Sequence, residues 1–141
     1  MLTSLVGVIS LSYFSLRDLK SGEVHDLEFL AFGVVPLTLT ALFSEVSLAL
    51  FLGYGVYCLL AGLVMVAVQR RFDSGWYGAD VWAFTLLGLS SVSLNPLLVL
   101  GVFVLVTLGY VVGSRLWTSG GVRYIPVFFL TLTISTISTI I

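Results

Sequence analysis

Charge is what this chain has least of. Its 141 residues include only 6 Lys and Arg and 7 Asp and Glu; charged residues make up 9%, against 59% hydrophobic ones. Soluble domains carry roughly 25% charge. So short a chain has too little interior to hide this much apolar surface, and lipid is expected to cover it. The net charge of −1 gives no basic footprint for nucleic acid. Cysteine and histidine are nearly missing. Cys58 alone can form neither an internal disulfide nor a CxxC zinc site. His25 alone cannot anchor a His-rich metal site. Haem, zinc and iron–sulfur chemistry are therefore poor candidates, and neither metal nor cofactor is expected.

What is present is a series of apolar runs with short polar breaks: Leu2–Leu16, Leu27–Phe43, Leu48–Val68, Asp80–Val92, Pro96–Gly113 and Ile125–Ile141. They predict an all-α polytopic membrane protein, a single membrane-embedded domain over residues 1–141 with six transmembrane helices. A full crossing takes about 20 residues, so the fourth helix is short and the first crosses comfortably only if it continues past Arg17 and Asp18. The first run has neither a basic n-region nor a small-x-small cleavage site, and reads as a retained span rather than a removed signal peptide. All six basic residues, Arg17, Lys20, Arg70, Arg71, Arg115 and Arg123, fall in the first, third and fifth connections. Positive charge collects on the cytoplasmic side. Only a chain whose short fourth segment also crosses puts all six there, with both termini outside the plasma membrane.

Local signals refine this frame. Pro36, inside the second run, is expected to kink it, whereas Pro96 and Pro126 sit near helix starts, where a missing N–H costs little. The Gly109–Gly113 pair and Gly53–Gly55 suggest close helix packing. The hydroxyl-rich end, Thr131 to Thr139, is expected to bond within its own helix.

Two acidic residues carry the chemical interest. Asp18 ends the first run and Asp80 opens the fourth, which puts both at the cytoplasmic face in the six-crossing arrangement. Taken singly, each has the plainer reading: an interfacial charge beside Arg17 and Lys20, or an N-cap. As a pair they could share a proton, since two adjacent carboxylates cannot both ionise cheaply. One would act as general base on a water, and the other, protonated, would hydrogen-bond a scissile carbonyl and help the amine leave. Carboxylates at the membrane edge lean towards function. Glu23, Asp26 and Glu28 make the first connection acidic, which could either attract a basic peptide or simply be solvated.

The stretches around them, S-Y-F-S-L-R-D-L-K-S-G-E-V-H-D from Ser12 to Asp26 and G-W-Y-G-A-D-V-W-A-F from Gly75 to Phe84, resemble the prepilin peptidase family, including the archaeal preflagellin peptidases. These are six-span GxGD-type aspartic proteases. The resemblance implies that Asp18 and Asp80 are the catalytic pair. It places Lys20, Val24 and Asp26 at the +2, +6 and +8 positions after the first aspartate, and Gly78 and Ala79 in the glycine-rich motif before the second. Ile125–Pro126 fits the family's entry to its last span. Small residues at 78 and 79 would let a substrate backbone approach. Tyr77, His25 and Trp82 depart from the family's usual glycine, proline and lysine. The expected partner is a prepilin- or preflagellin-like protein with a basic leader, a cut site and then a hydrophobic helix. The family's larger bacterial members also N-methylate their product through a cysteine-containing insertion; without one, this chain is expected to cleave only. Rival readings are a small transporter using the same aspartates, and a non-catalytic assembly subunit. Transporter sites usually lie near mid-membrane, unlike these residues.

Overall fold

A computed structural model describes residues 1–21, 23–44, 46–69, 78–117 and 124–141. These form six helices: α1 (Leu2–Ser21), α2 (Asp26–Phe43), α3 (Leu48–Gln69), α4 (Gly78–Ser90), α5 (Pro96–Trp117) and α6 (Tyr124–Ile140). Among the described residues there is no strand. Within α2, α3 and α5, the segments Asp26–Phe43, Leu48–Val68 and Pro96–Gly113 are long and apolar enough to cross a membrane.

Local chemistry explains the helix ends and the one irregularity. Asn95 Oδ1 accepts a hydrogen bond from Leu97 N at 3.0 Å, an N-cap placed just before Pro96 opens α5. In α2, Pro36 does not simply kink the helix. The turn before it, Leu30–Val34, widens into a π-helix, which accommodates the hydrogen bond that a proline nitrogen cannot donate. The first helix continues past Arg17 and Asp18 to Ser21.

Small hydroxyl residues share the buried interior with the apolar core, while many large aliphatic side chains face outward. On α1, Ser4, Ser10 and Ser15 are buried, while Leu2, Leu5, Ile9 and Leu16 point outward. On α6, Thr131, Ser135 and Thr136 are buried, while Leu130, Ile134 and Ile137 are exposed. The hydroxyls of Thr131, Thr133, Thr136 and Thr139 each donate to the carbonyl one turn back in their own helix. Small residues let helices approach, and branched apolar ones face outward, the arrangement that suits lipid as the surroundings.

At the centre stands the shortest long-range element, α4. It packs against α1, α2, α3 and α6, and nearly all its residues from Asp80 to Ser90 are buried or half-buried. Glycines make room for it. A Cβ on Gly7 of α1 would overlap Ser90, one on Gly33 of α2 would come within 2.7 Å of Leu86, and one on Gly55 of α3 within 2.7 Å of Leu89. Gly88 of α4 lies directly against Cys58 of α3. By contrast, Gly53, Gly101, Gly109 and Gly113 have open space where a side chain would be. The Gly109–Gly113 pair therefore does not pack α5 against its neighbours, and of Gly53 and Gly55 only the latter serves packing.

Candidate functional site

The candidate site lies at one end of this bundle. Contacts fix how the helices run. Arg17 meets Glu28, Phe14 stacks on Phe29 and Tyr13 meets Phe32, so α1 and α2 are antiparallel. At the other end of α1, Thr3 Oγ1 lies 3.4 Å from Ser93 Oγ just past α4, and Gly7 faces Ser90. Helix α4 therefore starts at the end where α1 finishes. Counted from the Gly7–Ser90 contact, Asp18 is about 16 Å along α1 and Asp80 about 15 Å back along α4, at about 1.5 Å per residue. The two aspartates thus stand at one level on neighbouring antiparallel helices.

Their surroundings differ. Asp80 is only 8% exposed and occupies the first turn of α4 rather than capping it from outside. Asp18 is half-buried, near the C-terminal end of α1. Ala79 is half-buried and packs against the apolar core, and Gly78 is the first residue of the helix. Trp82 is also packed against the core.

The connection after α1 separates into two kinds of acid. Glu23 and Asp26 are exposed, as are Lys20 and His25. Glu28 is not a free member of this acidic loop. It accepts a hydrogen bond from Arg17 at 2.9 Å with only 21% of its side chain exposed. Sequence spacing alone could not give that pairing, because 11 residues and a chain reversal separate the partners. Val24 anchors the loop by packing on the core. Tyr77, Arg70, Arg71 and Arg123 lie outside the described residues.

A second feature was not expected. Helices α3 and α5 scarcely touch, and between them a groove of about 170 Å³ opens over α4. Searches of protein-family models, curated proteins and solved structures found no match to this chain.

Proposed function

We propose that this protein is a membrane-embedded aspartic endopeptidase that removes the leader of prepilin- or preflagellin-like proteins at the cytoplasmic face. The observation that carries this reading is the pair itself: a buried Asp80 in the first turn of the central helix, level with Asp18 on the antiparallel neighbour. Two neighbouring carboxylates can share a proton, with one group acting as base on water and the other donating to the carbonyl. Water attacks the carbonyl carbon, the amide nitrogen takes up a proton, and the bond between leader and mature subunit breaks. Gly78 and Ala79, as small residues, would let a substrate backbone approach Asp80. Exposed Glu23 and Asp26 offer charge complementary to a basic leader, and Lys20 lies on the same rim.

The reading includes six crossings. The three long apolar helices are joined by α1, α4 and α6, which complete an alternating bundle. Helix α4 is about 20 Å long, short of a hydrocarbon layer about 30 Å thick. Helices α1, α2, α3 and α6 pack on it, so a thinned bilayer or water at its start would cost little.

The test is substitution of each aspartate. Asp18→Asn and Asp80→Asn keep size and most hydrogen bonding but cannot ionise. Each is expected to abolish cleavage of a co-expressed precursor while the protein still accumulates in the membrane. The double variant should be no worse than either single one, because the two act as a unit. A single variant that cleaves at near-normal rate removes that aspartate from the mechanism and the peptidase reading with it.

A further inference from the structure

Three phenylalanines tie α4, α5 and α6 together at one level. Phe84 lies 6.4 Å from Phe103 and 5.6 Å from Phe128, and Phe103 stacks on Phe128 at 5.9 Å. Only residues 91–95 separate α4 from α5, so these two helices run antiparallel. Leu132 of α6 reaches Gly7 beside Ser90, while Phe128, four residues earlier, reaches Phe84. Helix α6 therefore runs parallel to α4.

One turn from the rings, towards the end that holds the aspartates, the same three helix faces carry different residues. Stepping back four residues on α4 and α6 leads to Asp80 and Tyr124, and stepping forward four on α5 leads to Thr107. Residues four apart share a helix face, and each step moves about 6 Å along the bundle. Asp80, Thr107 and Tyr124 thus form the next level. Tyr124 is half-buried and stacks on Phe128 at 6.5 Å, which keeps its ring on this face. Aspartate and threonine reach less far than the two phenylalanines they follow, so the facing side chains of α4 and α5 are shorter here.

Thr107 has an unmet need at this level. Its Oγ1 is shut off from solvent and has no hydrogen-bond partner. Thr85 on α4 and Thr131, Thr133, Thr136 and Thr139 on α6 each donate to the carbonyl one turn back. Thr107 makes no such bond. A buried hydroxyl without a partner costs free energy that a bound water can recover.

We propose that Thr107 is a further residue of the catalytic site, holding the attacking water together with Asp80. This role rests on the peptidase reading above. A carboxylate and a hydroxyl oxygen can both accept, so the group between them should donate twice. A substrate amide offers one N–H, whereas water offers two O–H bonds. One O–H of the water points to the carboxylate pair and is lost to it as the oxygen attacks the carbonyl carbon. The other stays on Thr107 Oγ1 and fixes the direction of attack. The carbon–nitrogen bond then breaks, and the leaving amine takes its proton from the carboxylate pair. Thr107 gains and loses no proton.

The test compares Thr107→Val, which keeps the shape and removes the hydroxyl, with Thr107→Ser, which keeps the hydroxyl. The full chain is placed in phosphatidylcholine vesicles with a precursor carrying a basic leader and a hydrophobic helix. Thr107→Val is expected to lower kcat about tenfold, with KM within about twofold. Its unfolding midpoint in detergent should be unchanged or higher, because valine leaves no unpaired hydroxyl. Thr107→Ser should cleave within about threefold of the unaltered chain. Thr133→Val, whose threonine bonds within its own helix, should cleave within about twofold. A chain that cleaves normally with Thr107→Val overturns this inference and leaves the peptidase reading standing. So does a Thr107→Ser variant as slow as Thr107→Val, since the methyl group would then be what matters. A lower unfolding midpoint for Thr107→Val would mean that the hydroxyl is bonded within the protein, and overturns the inference equally. If the unaltered chain cleaves no precursor, the peptidase reading fails and this inference fails with it.

Discussion

At the residue scale, the acids of the first connection have separate roles that their sequence proximity hides. Glu23 and Asp26 are exposed, whereas Glu28 is held by Arg17. Exposed charges act mainly on encounter and orientation and are screened by salt. The double change Glu23→Gln with Asp26→Asn is therefore expected to lower kcat/KM for a basic-leader precursor several-fold at low salt, by less at high salt, and not at all for a neutral-leader precursor. Kinetics on the two precursors at two ionic strengths check this; equal losses on both would show that the loop does not read charge. Glu28→Gln should behave differently. It weakens a part-exposed ion pair worth about 1 kcal/mol or less, so any loss should be the same for basic and neutral leaders.

At the element scale, α4 owes its position to its neighbours' lack of side chains. Gly7, Gly33, Gly55 and Gly62 sit on three different helices and all face α4, with Gly62 closest to Val81. Gly88 on α4 itself lies against Cys58. Gly88→Ala should cost roughly 1–3 kcal/mol through overpacking, read as a lower unfolding midpoint in detergent. Cys58→Ala removes the sulfur from the point of contact and should restore part of that loss. Additive losses in the double variant would mean that the α3–α4 contact is not the cause. The sequence marked the helices well: four of the expected runs agree with the observed helices to within a few residues. It could not rank the glycines. Gly109 and Gly113 have the familiar spacing but no neighbour within reach, whereas Gly7 and Gly33 have no such motif and make tight contacts. Whether a glycine packs depends on which way its helix face is turned.

At the scale of the whole molecule, the six helices alternate in direction, and the end holding Asp18 and Asp80 also holds Arg17 and Lys20. With six crossings that end is cytoplasmic. Single cysteines introduced at Ser44 and Asn95 in a Cys58→Ala background should then react with a membrane-impermeant reagent from outside. Cysteines at Glu23 and at Ser119, which lies outside the described residues, should react only after the membrane is opened. Labelling of position 119 from outside would mean that α4 does not cross, and would place the fifth connection on the opposite face.

Composition and hydropathy pattern by themselves determined that the chain is helical, that long apolar segments dominate it, and where most of those segments begin and end. These properties follow from local burial and helix-capping preferences, which neighbouring residues encode directly. The two aspartates were also legible, because charge is so rare here that each carboxylate stands out. Only the tertiary structure decided that the shortest helix is the central one, that Asp80 is buried on it level with Asp18, and that Glu28 is tied to Arg17. It alone revealed the groove between α3 and α5. Each of these depends on which faces of distant helices meet, and that choice is made by side-chain volume across the whole bundle rather than by any single stretch of sequence.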